Sequence, residues 1–336
     1  MRNENGKVAV VILNWNGRTM LERFMPSVVA NTNADIVVAD NGSTDDSVDF
    51  MRRHYPSVQL VLMDKNYGFA EGYNKAISSI DHYDYYVLLN SDVECTPNWV
   101  EPVVEAMEKE KDIAVMQPKL LMYDRKDTFE YAGAAGGFID GYGYPFCRGR
   151  LFQTLEKDEG QYDDQCDIFW ATGAAMFVRA AAWNQVGGLD GDFFAHMEEI
   201  DFCWRVKNAG WRVAYCPQSK LYHLGGGTLP KSNPLKTLLN FRNNLAMLYK
   251  NLPDGRLDRV LNMRMMLDRV AAVKFLLEGH MGEYLAVRKA HKEFRAWKPA
   301  LKQKRARINP KPVGQIYMHP LLIQYFFLRK KKYSEL

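Results

Sequence analysis

The sequence predicts an α/β protein on a mostly parallel central sheet, and two observations carry that reading. The first half alternates short β-branched runs with helix-length segments, and each run stops at a polar cluster. Lys7–Leu13 (KVAVVIL) is apolar at successive positions, as in a strand covered on both faces. Met20–Asn31 follows as a helix, and Asp35–Ala39 (DIVVA) as a second buried strand. Asp45–Tyr55 is a helix opened by Ser43, Thr44 and the pair Asp45–Asp46, residues suited to a helix start. Val58–Met63, Phe69–Ile80 and Tyr85–Leu89 complete a β-α-β-α-β-α-β order, which implies parallel strands with right-handed crossovers.

Residues 123–165 are rich in Gly, Tyr and Asp with little periodicity and predict long loops, which in compact domains often carry function. Ile168–Val178 predicts a further buried strand, Asp192–Asn208 a helix and Trp211–Tyr215 a short strand. Gly225–Gly227 marks a boundary near residue 230, after which the pattern turns helical, with Met266, Val270, Val273 and Leu277 at 4-3-4 spacing. Two parts are expected: a catalytic body, 1–230, and a helical extension, 231–336.

The 336 residues are 47% hydrophobic and 25% charged, which excludes a disordered tail protein, a collagen-like rod and a coiled coil. No run approaches the ~20 apolar residues that span a bilayer. The start lacks a basic stretch followed by a long apolar core, and the five cysteines are scattered with no CxxC pair. Both features predict a cytoplasmic protein with reduced thiols. The net charge of +4 hides an asymmetry: residues 1–230 hold 21 Lys and Arg against 33 Asp and Glu, whereas 231–336 hold 23 against 7. An acidic body with a basic tail implies different partners for the two parts.

Ligands of such sheets sit beyond the carboxyl ends of the strands. Here those ends are Asn14–Trp15–Asn16, Asp40–Asn41–Gly42, Asp64–Lys65–Asn66 and Asn90–Ser91–Asp92. A carboxylate at Asp40 suits a nucleobase N–H or a ribose hydroxyl, or else shapes its own turn. Trp15 would stack on a base or cap the core. A single acid at Asp92 suits a divalent cation that takes one or two carboxylates plus substrate phosphates, or else caps the segment from Pro97 to Glu110. Glu198 and Glu199 lie among Phe193, Phe194, Ile200, Phe202 and Trp204, a setting that raises a carboxyl pKa and makes a general base. Asp201 and Arg205, four apart, are placed to pair along the helix. His223, before a glycine run able to close over a diphosphate, is a metal-ligand candidate or a structural histidine.

The segments VAVVILNWNG (8–17), VVADNGSTDDS (37–47), NYGFAEGYN (66–74), LLNSDV (88–93), ATGAAMFVR (171–179) and GGLDGDFFAHMEEIDFCWRVKNAGWRVAYCP (187–217) together resemble the inverting family 2 glycosyltransferases, rhamnosyltransferase-like members included. The resemblance implies the GT-A fold, a Rossmann-like α/β sheet flanked by helices, with a C-terminal helical extension. It implies transfer of a sugar from a UDP- or dTDP-linked donor to a glycan or lipid-linked acceptor, with Mg²⁺ or Mn²⁺, in cell-surface polysaccharide biosynthesis. By the same resemblance, Asn14, Trp15, Asn16, Asp40, Asn41, Asn66, Gly68, Asn74, Asn90 and Ser91 would surround the nucleotide-sugar. Trp170, Thr172 and Gly173 would border the sugar and acceptor, Asp92 and His223 would hold the metal, and Glu198 or Glu199 would supply the base. Asn90 stands where many relatives have an acid, and Glu199 where the family usually has Asp.

The run LLIQYFFL (321–328), followed by Arg329–Lys332, is too short to span a bilayer. It suits either an anionic membrane surface on the inner face of the cell membrane or a terminal helix docked on the body. A nucleotidyltransferase would want a glycine-rich basic loop after the first strand, and a dehydrogenase GxGxxG; Asn14–Arg18 offers one glycine. A nucleic-acid-binding reading rests on the basic tail alone, without a recognisable module, so no nucleic acid is expected.

Overall fold

A computed structural model describes residues 6–225 and 233–336. The elements run β1 (Val8–Asn14), α1 (Arg18–Asn31), β2 (Asp35–Asp40), α2 (Ser47–His54), β3 (Gln59–Leu62), α3 (Gly68–Ser78), β4 (Tyr85–Asn90), β5 (Val93–Cys95) and α4 (Glu101–Lys109). They continue with β6 (Ile113–Met122), β7 (Gly137–Asp140), β8 (Pro145–Cys147), β9 (Arg150–Leu151), β10 (Thr154–Leu155), β11 (Cys166–Asp167), β12 (Ala175–Arg179), α5 (Ala180–Val186), α6 (Glu198–Asn208) and β13 (Arg212–His223). The last part holds α7 (Pro234–Asn251), α8 (Asp254–Leu277), α9 (Met281–Ile308) and β14 (Ile316–Tyr317).

The main sheet has the order β11-β13-β6-β12-β4-β1-β2-β3, with β5 added against β13. β3, β2, β1 and β4 are mutually parallel, as their continuous apolar runs demand. β12 runs antiparallel between β4 and β6. In register, Asn14 lies beside Asp40 and Leu13 beside Asn90, so the polar ends of β1, β2 and β4 share one edge. Val10, Val11, Val37, Val87 and Leu88 are wholly buried between the helical layers.

Three expectations are corrected. The segment 123–165 is not only loop: β7–β10 form a small second sheet, joined by β14 from the C-terminal part. Strands of two to four residues carry too little periodicity to be read. The strand expected over Ile168–Val178 is β12 alone, because Trp170–Ala174 turns to meet β7 and Gln117. The helix expected from Asp192 starts at Glu198, after a 3₁₀ turn at Gly191–Phe193 and an irregular link.

The boundary near 230 lies outside the described residues. On either side of it the core is shared: Leu245, Met247, Leu248 and Phe294 pack in one cluster with Phe193, Phe202 and Trp204. The 4-3-4 set Met266, Val270, Val273 and Leu277 is helical, but all four face solvent. Among the described residues no helix is long and apolar enough to cross a membrane.

Candidate functional site

The nucleotide side is built on the shared strand edge. Asp40 is buried; its Oδ2 accepts from Asn14 Nδ2 at 3.0 Å and its Oδ1 from the Ser43 amide at 2.9 Å. Asp40 therefore makes its own turn, and each oxygen retains a lone pair for a ligand. Asn16, at φ 50°, accepts from the Thr44 amide at 2.7 Å and ties the two loops together. Trp15 is 49% exposed, its indole free to stack. Asn41 donates to Asn66 Oδ1 and to the Gly68 carbonyl, and accepts from the Tyr67 amide. Gly68 has φ +76°, and a Cβ there would come within 2.5 Å of the Phe194 ring, so only glycine fits.

Asn90 ends β4, with its amide bonded to the Ala174 carbonyl, and Ser91 and Asp92 follow. His223, at the end of β13, lies with Nε2 3.1 Å from Asp92 Oδ1 and Nδ1 3.3 Å from Glu130 Oε1. The Nδ1 contact has ion-pair distance but not hydrogen-bond geometry, so among the described residues this buried atom lacks a hydrogen-bond partner. Burial opposes charge on His223, but Glu130 and Asp92 overcome it and push its pKa up to about 10. For Asp92, burial opposes ionisation; the charged His223 and its hydrogen bond outweigh that and hold the carboxyl below its usual range. Among the described residues no three His, Cys, Asp or Glu side chains form a ready-made metal cage. Asp92, and His223 once it gives up its proton, fit a cation that draws its other ligands from a substrate diphosphate.

The second group of candidates lies at the start of α6. Its entry is strained: Phe194 has φ 64° and ψ −61°, and the Ala195 amide bonds the Phe193 carbonyl, a γ-turn of the rare hand. His196 and Met197 follow at φ 70° and 71°. The carbonyl of Phe194 accepts from the amides of Phe69 and Ala70, and those of Phe193, Ala195 and His196 from Asn243 Nδ2. This over-determined link aims Glu198 and Glu199 from the first helical turn. Both carboxyls carry a buried Oε2 with no hydrogen-bond partner among the described residues. Burial pushes Glu199 up to about 7 against the pull of the first-turn amides, and burial with the neighbouring Glu199 pushes Glu198 well above its usual range. Burial pushes the Cys147 thiol up, with Arg150 acting against it and Glu130 and Glu199 adding to it. Asp201 pairs with Arg205 at 2.8 Å as its spacing implies, and with Lys250 at 2.9 Å.

Some expected site residues also make scaffold contacts. Asn74 spends its amide on Glu71 and on both backbone groups of Leu189. Trp170 is 3% exposed, donates to the Phe138 carbonyl and packs against Gly137. Thr172 is buried and holds the Ala174 amide, while Gly173 makes room for the Phe69 ring. Glu130, Arg150 and Asn243 were not singled out from the sequence; each acts through contacts made over long sequence separations or from unreadable short strands.

The model of the family described as "Glycosyl transferase family 2" matches residues 9–183, just over half of the chain. N-acetylglucosaminyl-diphospho-decaprenol L-rhamnosyltransferase of Mycobacterium tuberculosis is 26% identical over 230 residues, 64% of this chain and 75% of that protein. Rhamnosyltransferase WbbL of Escherichia coli (strain K12) is 26% identical over 215 residues, 60% of this chain and 79% of that protein. Among solved structures, GalNAc-T7 with UDP, GalNAc and Mn²⁺ superposes with a TM-score of 0.58 at 16% identity, over 75% of this chain. This chain spans about half of that longer protein (49%). The strand edge, the acidic pair on α6 and these likenesses lead to one conclusion: the chain belongs to glycosyltransferase family 2 and is a glycosyltransferase of the GT-A fold.

Proposed function

We propose that this enzyme transfers a rhamnosyl or other hexosyl group, with inversion, from a UDP- or dTDP-linked donor to a hydroxyl of a lipid-linked glycan during cell-surface polysaccharide synthesis. The observation that carries the reading is the half-buried Glu199 carboxyl, raised to about 7 on the first turn of α6, taken with the Asp92–His223 pair at the ends of the strands. A base poised near neutrality takes a proton efficiently from an acceptor hydroxyl as that oxygen attacks the anomeric carbon. Glu198, the more deeply buried of the two, is also raised, by burial and by Glu199, and stands as the alternative base.

Trp15 would stack on the base while Asp40, through its free lone pairs, accepts from the nucleoside. Asp92 and His223 would hold Mg²⁺ or Mn²⁺, whose charge offsets that of the leaving diphosphate. Holding donor and acceptor in line supplies much of the acceleration. Support for a metal and a nucleotide comes from GalNAc-T7, solved with UDP and Mn²⁺, and support for a lipid-linked acceptor from the named substrate of the mycobacterial relative.

The tail fits work at an anionic membrane surface. Leu321 and Tyr325 dock on Phe146 and Leu151, while Phe326, Phe327 and Leu328 face solvent ahead of Arg329–Lys332. The test of the whole reading is a donor screen that monitors nucleoside diphosphate release across activated sugars with Mg²⁺ or Mn²⁺. Release with at least one donor, dependent on acceptor, is expected; no release with any donor would sink the reading.

A further inference from the structure

Arg150 opens β9 on the small sheet and is 7% exposed. Every other Lys or Arg buried to this degree among the described residues has a carboxylate within ion-pair distance: Lys119, Arg148, Arg205, Lys250, Arg264 and Arg305. Arg150 has none. Its Nη1 reaches the Phe152 carbonyl at 3.3 Å, its Nη2 the Cys147 thiol at 3.5 Å, and its buried Nε has no partner. Glu130 is near enough to be felt, but its carboxylate is taken by His223 and the Ala132 amide. A buried guanidinium without an anion is costly, and the fork of donors it leaves open matches a phosphate.

We propose that Arg150 is the anion-binding residue of the acceptor side and receives the diphosphate of a lipid-linked acceptor. The inference rests on the reading given under Proposed function and adds the acceptor's charged group to it. One feature points to the acceptor rather than the donor: the surface beside Arg150 suits an amphiphile. The exposed Tyr131 ring lies 4.4 Å from the guanidinium, and Phe152, two residues on, packs with a tilted ring 5.2 Å from that of Phe326. Phe326 and Phe327 are 58% and 80% exposed and precede the cationic run. Such a surface takes an apolar chain beside an anionic link.

The test is calorimetry on the full chain with UDP or dTDP and Mg²⁺ at saturation, so that the donor side is filled. Farnesyl diphosphate, farnesol and inorganic pyrophosphate are titrated in turn. Farnesyl diphosphate should bind more tightly than either other probe. Arg150→Gln should weaken both diphosphates by about 10–100-fold and leave farnesol and the nucleotide unchanged. Where the glutamine variant does not fold, Arg150→Lys keeps the charge without the fork and should weaken farnesyl diphosphate several-fold. Wild-type affinity in the folded variant, no binding of farnesyl diphosphate, direct competition with the nucleotide, or pyrophosphate binding as tightly as the lipid probe would each overturn the assignment. These results are independent of nucleoside diphosphate release, so loss of this inference leaves the transferase reading standing.

Discussion

The side-chain amide of Asn243, on α7, lies 2.8 Å from the backbone carbonyl of His196, two residues before Glu198. The same nitrogen reaches the carbonyls of Phe193 and Ala195 at 3.0 and 2.9 Å, so one wholly buried side chain holds the strained entry to α6. The C-terminal helices thus set the position of the two glutamates.

Asn243→Ala leaves buried carbonyls without donors. A stability loss of about 1–3 kcal/mol is expected, read by denaturant unfolding. The kinetic signature is a fall in kcat at unchanged donor affinity; unaltered kcat in the folded variant would show that the link holds its shape without the amide.

Glu199→Gln removes the base. Turnover should fall by a factor on the order of 10²–10⁴ while donor binding persists. Wild-type activity should rise with pH through about 7, as Glu199 loses its proton, and that limb should vanish in the variant. Retention of the limb in Glu199→Gln would move the base to Glu198.

The same carboxyl predicts a stability effect. A glutamic acid raised from 4.5 to about 7 holds its proton more firmly folded than unfolded. Its stabilising contribution is complete below about pH 4.5 and is lost as pH rises through about 7. Glu199→Gln should therefore be the more stable protein at pH 8, by on the order of 1–3 kcal/mol, with the gap closing near pH 4. Thermal unfolding across this range checks the sign.

Asp92→Ala should abolish the metal-dependent part of donor binding. It also removes a carboxylate from His223, whose remaining charged neighbour is Glu130 at 3.3 Å. Calorimetry with UDP or dTDP, with and without Mn²⁺, gives the readout; equal affinities in variant and parent would take Asp92 out of the site.

Phe326→Asp with Phe327→Asp alters only exposed side chains and spares the docked Leu321 and Tyr325. Binding to phosphatidylglycerol vesicles should drop while activity on a water-soluble acceptor survives. Equal sedimentation of variant and parent with the vesicles would dismiss the membrane role.

The parallel half of the sheet was legible because its strands are long apolar runs, and Asp40 and Asp92 were legible because acids at the ends of such runs are conspicuous. Glu198 and Glu199 stood out against their aromatic neighbours. The small sheet was not legible, since two-residue strands such as Arg150–Leu151 leave no pattern, and Arg150 went with it. The roles of Glu130 and Asn243 arise from pairings across 93 and about 47 residues, through His223 and His196, which no local rule reports. The stripe Met266–Leu277 shows the converse: helical spacing marked a helix but not which way it faces.

The shared core of Phe193, Trp204, Leu245 and Phe294 bears on protein engineering. A shortened chain ending near residue 230 would bare those aromatics to water and release the link before α6. Chimeras that aim to exchange acceptor choice between relatives should graft α6, α7 and α9 as one block.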